Sequence, residues 1–145
     1  YHITLAFLGH APEPRLNEAV YRAGRALADT PAFTLTINGT GTFGSRHFPR
    51  ILWAGTSKST SPQLLQEKVF AAGTDSGLHL DKKPFKSHIT LARKWAGESP
   101  FRSDALNQYV DSILPSQFSA AEVVLYQTHP KRMPKYEIKE AFKLL

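Results

Sequence analysis

Two short stretches of this 145-residue chain repeat one arrangement of side chains that can do chemistry. His2-Ile3-Thr4-Leu5-Ala6 opens the chain, and His88-Ile89-Thr90-Leu91-Ala92 returns 86 residues later. Each copy alternates polar and apolar residues around a β-branched centre, the pattern of a strand with one buried face. Side chains two apart on a strand point the same way, about 7 Å apart along it. His2 and Thr4 therefore share a face, as do His88 and Thr90. Ile3, Leu5, Ile89 and Leu91 turn to the core. One such string alone reads as a half-buried strand with a polar outer side. Two identical units imply an internal duplication, which can set both His-Thr pairs across one cleft.

Histidine, with a resting pKa of about 6.5, serves as acid or base near neutrality. Two opposed histidines can act together, one taking a proton from a nucleophile and the other giving one to a leaving oxygen. A threonine hydroxyl beside each can donate to a non-bridging phosphate oxygen, in a basic neighbourhood that stabilises developing charge. The sum is phosphodiester chemistry that needs no metal.

Rival chemistries find less support. There is no His-x-His, no His-Glu-x-x-His and no carboxylate at ligand spacing beside either motif, so no metal site is indicated. A Gly-x-Ser-x-Gly nucleophile string and a phosphate-binding Gly-x-x-x-x-Gly-Lys loop are also missing. The remaining histidines, His10, His47, His79 and His129, have no repeat partner and read as surface or supporting residues.

The rest of the chain must position these pairs. Residues 2–8 read as a strand closed by Gly9, and 15–29 as a helix stopped by Thr30-Pro31. Phe33 to Ile37 alternates like a strand, which Gly39 to Gly44 bends with a bulge. Ser45 to Arg50 is a basic, aromatic loop ahead of a short strand, Ile51 to Gly55. A second helix over 63–72 ends at Gly73 and Gly77. The basic run 79–87, with Lys82, Lys83 and Lys86, leads into the second motif. Beyond it come a short helix over 103–113, one long strand over 118–128, a basic turn over 130–134 and a last strand over 136–142. This order defines an α+β fold of antiparallel sheets in two similar halves.

Composition narrows the function classes. The length suits one domain with a real core. No apolar run approaches a membrane span. The absence of cysteine removes disulfides and thiolate chemistry and is compatible with a cytoplasmic protein. A net charge of +6 favours polyanionic partners, nucleic acid above all.

His2-Ile-Thr-Leu-Ala-Phe-Leu-Gly9 and Pro84-Phe-Lys-Ser-His88-Ile-Thr-Leu-Ala-Arg93 together resemble the 2H phosphoesterase superfamily. Within it they are most similar to the bacterial RNA 2′,3′-cyclic phosphodiesterases, also called 2′-5′ RNA ligases. Arg50-Ile-Leu-Trp-Ala-Gly55, Leu125-Tyr-Gln-Thr128 and Tyr136 extend the likeness through most of the chain. The resemblance implies a bilobal fold of two pseudo-symmetric lobes, helices outside and the His-x-Thr strands lining a central cleft. It implies hydrolysis of RNA 2′,3′-cyclic phosphate to a 2′-phosphate, without metal or cofactor, and reversible 2′-5′ joining of RNA ends. By position, His2 and His88 are the acid–base pair, Thr4 and Thr90 the phosphate donors, and Arg93 a further substrate contact. Strict alternation, however, turns Arg93 with Ile89 and Leu91, so it joins the site only if the strand twists, bulges or ends near Ala92.

Residues 1–145 are thus expected to form a single domain whose first family strand and helix lie ahead of residue 1. Lys86-Ser87 stands where many members carry His-Pro. The expected partners are RNA ends with a 2′,3′-cyclic phosphate, tRNA fragments among them, met by a cytoplasmic monomer with no membrane contact. Two other functions stay open to this sequence: a non-catalytic nucleotide- or RNA-end-binding module, and a phosphodiesterase for small cyclic nucleotides.

Overall fold

The computed structural model describes residues 1–93, 95–102, 110, 112 and 114–145. Helix α1 spans Glu13–Leu27. Pro14 lies in its first turn, where no backbone N–H partner is lost, and Glu13 there favours the positive end of the helix dipole. Its buried face is Ala19, Ala23 and Leu27. Helix α2, Thr60–Asp75, starts at Ser59, whose Oγ accepts from Ser61 N at 3.3 Å. It runs through Gly73 rather than ending there. Gly73 instead makes room for Leu80, since a Cβ would stand 2.8 Å from Leu80 Cδ1. The reversal falls at Gly77, with φ of 86°.

Four strands form one antiparallel sheet: β1 (Phe33–Gly44), β2 (Pro49–Thr56), β3 (His88–Arg93) and β4 (Gln117–Ala120), in the order β3-β2-β1-β4. A second, two-stranded sheet pairs β5 (Glu122–Thr128) with β6 (Tyr136–Lys143). The expected bend after Ile37 is a shift in register between Ile37 and Thr40, and β1 continues past it. The first half of β1 thereby pairs with β4 and the second half with β2.

Two expectations are corrected. Residues 118–128 are not one strand, because the chain changes sheets at Ala121, β4 lying on β1 and β5 on β6. Residues 2–8 form no regular strand and touch the sheet through one bridge, Ile3 to Ile89. The reason is in the packing. Leu5 joins a core with Leu27, Leu65, Val123 and Phe142, whereas Ala6 and Leu8 join another with Ala19, Leu78 and Leu80. Consecutive residues are drawn to different cores, so the segment peels away from β3. The helix expected over 103–113 lies almost wholly outside the described residues.

A third core, around Ala54 and Val110 with Leu52, Leu91 and Phe101, backs the four-stranded sheet. The molecule therefore has two lobes. One is the four-stranded sheet with this third core; the other is the β5–β6 hairpin with α1 and α2. The Ile3–Ile89 bridge lies where they meet. Among the described residues no helix is long and apolar enough to cross a membrane.

Candidate active site

The bridge pairs the two repeated pentapeptides with each other, antiparallel, at their central isoleucines. Residues directly opposite in such a pair send their side chains to one face, and their neighbours to the other. With Ile3 opposite Ile89 on the inner face, His2, Thr4, His88 and Thr90 all fall on the outer one. Ile89 is 2% exposed and pairs with Ala54, which is fully buried. The parity expected for the second motif is the one observed. Among the described residues, neither Thr4 nor Thr90 has its hydroxyl engaged.

β2 fits around the second motif. Gly55 lies opposite His88 and Trp53 opposite Thr90. A side chain at position 55 would meet Asn38 O at 2.8 Å, so only glycine fits opposite His88. Thr56 Oγ1 donates to Ser87 Oγ at 2.8 Å, fixing the chain just before the strand. His88 Nδ1 lies 2.7 Å from Lys86 O. A carbonyl only accepts, so Nδ1 carries the proton and Nε2 is left for chemistry.

Arg93 reaches the same face through an irregularity. Trp53 pairs with Thr90 but Leu52 with Ala92, which leaves Leu91 as an extra residue on β3. This bulge reverses the parity beyond it, and Ile51 then pairs with Arg93. Since Ile51 and Trp53 share a face, so do Arg93, Thr90 and His88. Arg93 is exposed and has no ion-pair partner among the described residues.

Each histidine is held between two aromatic rings. Phe43 and Trp53 lie 5.5 Å and 6.3 Å from His88, ring centre to ring centre. Tyr126 and Tyr136 lie 5.6 Å and 5.5 Å from His2. Both pairs come from hairpins, β1–β2 and β5–β6, so the duplication of the motifs extends to their supports. His2 keeps an open side, yet its packing against the tyrosines strips water from the ring. That desolvation, helped by the charge of Arg93, holds its pKa below the usual 6.5.

Sequence reasoning named Trp53, Tyr126 and Tyr136 only as carriers of the resemblance and gave none of the four aromatics a place at the site. Their signal was positional: Trp53 alternates with the core residues Leu52 and Ala54, so it must stand on the other face. The unrepeated histidines lie apart from this arrangement in their described contacts; His129, for one, bonds Glu137 at 2.9 Å. Among the described residues no three His, Cys, Asp or Glu side chains gather as metal ligands would. The face offers two imidazoles, two hydroxyls and a guanidinium, a set suited to proton transfer around a bound phosphate.

That combination, on an α+β scaffold with a duplicated motif, defines a two-histidine phosphoesterase type of site. Residues 1–132 match the family model of the 2′-5′ RNA ligase superfamily, and the chain belongs to that family. It is 42% identical to an RNA 2′,3′-cyclic phosphodiesterase of Geobacillus stearothermophilus, over 100% of this chain and 46% of that protein. It is 33% identical to the protein of that name from Bacillus subtilis, over 99% of this chain and 75% of that one. The chain thus spans about half the length of the first relative and three quarters of the second. Among solved structures, E. coli LigT complexed with 3′-AMP superposes with a TM-score of 0.74 at 25% identity, covering 99% of this chain and 76% of that one. TT0787 of Thermus thermophilus superposes with a TM-score of 0.73 at 26% identity, covering 99% and 77%.

Proposed function

We propose that this chain hydrolyses RNA 2′,3′-cyclic phosphate to a 2′-phosphate, with His2 and His88 as the acid–base pair. The observation that carries this reading is the Ile3–Ile89 bridge, from which all four motif side chains fall on one face. The names of the relatives, RNA 2′,3′-cyclic phosphodiesterase, supply the substrate class. One neutral imidazole takes a proton from water as its oxygen bonds to phosphorus. The other, protonated, gives its proton to the 3′ oxygen as the P–O3′ bond breaks. Thr4, Thr90 and Arg93 hold the non-bridging oxygens and stabilise the charge that gathers there. With a 5′-hydroxyl in place of water, the same steps form a 2′-5′ bond, and run backwards they open it. The reading takes residues 1–145 as one domain of a cytoplasmic monomer acting on RNA ends, tRNA fragments among them, with no metal or cofactor in the reaction.

The test is an assay, with chelator present, on a short RNA ending in a 2′,3′-cyclic phosphate. His2→Ala and His88→Ala should each lower kcat by at least about a thousandfold, because the pair works as a unit. The wild-type rate should be bell-shaped in pH. Tight binding of the RNA without conversion, surviving both substitutions, would make the chain a binding module instead.

A further inference from the structure

Just before Tyr136 the chain passes through a turn, residues 129–135, whose charged groups are all positive: His129 aside, they are Lys131, Arg132 and Lys135. The backbone closes it, His129 N donating to Lys135 O at 2.6 Å and Arg132 N to His129 O at 3.1 Å. The nearest carboxylate in sequence, Glu137, is already engaged by His129 Nε2 at 2.9 Å and Lys139 Nζ at 3.4 Å. Lys131 and Arg132 are exposed and have no ion-pair partner among the described residues.

The turn is continuous with the candidate active site. Tyr136 packs 5.5 Å from the His2 ring, and Lys135 Nζ stands 5.6 Å from the centre of the Tyr136 ring. Tyr126, 5.7 Å from Tyr136, widens the aromatic surface. Aromatic faces beside exposed cations are what single-stranded nucleic acid needs, bases stacking on the first and phosphates meeting the second. Another basic tip, residues 45–50, is tied down differently. Arg50 is the extra residue where the β1–β2 register shifts between Phe43 and Gly44, and its side chain lies against Gly44. The tip is tied by Phe101 N to His47 O and by Trp95 N to Pro49 O, on the side of the third core.

We propose that the 129–135 turn binds the RNA strand adjoining the reacting end, its phosphates on Lys131 and Arg132. This rests on the reading of the His-Thr face as an RNA-end site and extends it: the preferred substrate is an oligonucleotide rather than a mononucleotide. Neither residue touches the motif side chains in the described contacts, so the effect falls on binding of the strand and not on proton transfer.

The experiment compares wild type with Lys131→Glu/Arg132→Glu and, as a control, Arg46→Glu/Arg50→Glu. Substrates are cytidine 2′,3′-cyclic phosphate and an RNA of about ten nucleotides ending in the same cyclic phosphate. The first variant should lose about tenfold or more in kcat/KM on the RNA, mainly through KM, and stay within about twofold on the mononucleotide. The slope of log affinity against log salt should shrink by about 0.7 for each lost phosphate contact, about 1.4 for two. Affinity is also read by fluorescence anisotropy of the same RNA carrying a 2′-phosphate, which requires no turnover. If wild type converts neither substrate, the phosphodiesterase reading fails while this binding measurement still decides the surface. Equal losses on both substrates, unchanged RNA affinity, or a slope that moves only in the Arg46/Arg50 control would overturn the proposal.

Discussion

Arg93 carries two consequences of one position. It offers a guanidinium to an anion on the His-Thr face, and its charge helps hold His2 below its ordinary pKa, after desolvation. Protonating His2 beside that cation costs more than protonating it in water. The folded chain therefore binds fewer protons than the unfolded one between the folded pKa of His2 and about 6.5. The stability involved is fully present above pH 6.5 and declines as pH falls through the folded value. Arg93→Gln should move the pKa of His2 upward, and with it the limb of the pH–rate profile that His2 governs. Arg93→Lys should leave that limb near its wild-type place, because the charge remains. Proton NMR titration of the His2 ring checks the shift without turnover; an unmoved titration in Arg93→Gln would remove Arg93 from the electrostatics of the pair.

At the scale of elements, the β1–β2 hairpin is the part whose packing most directly sets the place of His88. Gly41 lies opposite Trp53, and a Cβ there would stand 2.2 Å from the indole ring, so the ring occupies the space a side chain would need. Trp53 is held by this shape and not by polar contact, since its buried Nε1 has no hydrogen-bond partner among the described residues. Gly41→Ala should push the indole toward His88, costing about 1–3 kcal/mol as overpacking. It should lower kcat by about tenfold with little change in KM, as expected when a reacting group is misplaced. Adding Trp53→Phe, a smaller ring, should restore part of the kcat; a single variant with wild-type kcat and melting temperature would refute the packing role. The two helices and most strands were legible because their apolar spacing matches what they bury. Arg93 was not fully legible, since its face depends on a bulge at Leu91 that only the pairing with β2 creates. The break at Ala121 was also hidden. Ala120-Ala121 carries no turn residue, and what divides the strand is a change of partner from β1 to β6. Phe43, Trp53, Tyr126 and Tyr136 look from sequence like ordinary strand formers, and their meeting with the histidines is tertiary.

The whole molecule divides its stability and unites its chemistry. Leu5, three residues after His2, packs in the core formed by the helices with β5 and β6, whereas Leu91, three after His88, packs in the core behind the four-stranded sheet. Each lobe thus anchors its own histidine in its own core, and the lobes share the site where Ile3 meets Ile89. Leu5→Ala and Leu91→Ala, both at partly buried positions, should each cost about 2 kcal/mol, the low end for a core leucine. In the double variant these costs should add to within about 0.5 kcal/mol, as expected for sites without shared partners. Turnover should behave otherwise. An acid without its base, or a base without its acid, is already ineffective, so misplacing the second histidine should add little to the loss caused by the first. Urea unfolding and kcat at low denaturant, measured on the same four proteins, separate the two behaviours. A stability coupling above about 1 kcal/mol would mean that the cores are one cooperative unit across the bridge. Losses of log kcat that simply summed would mean that the two histidines act in separate steps.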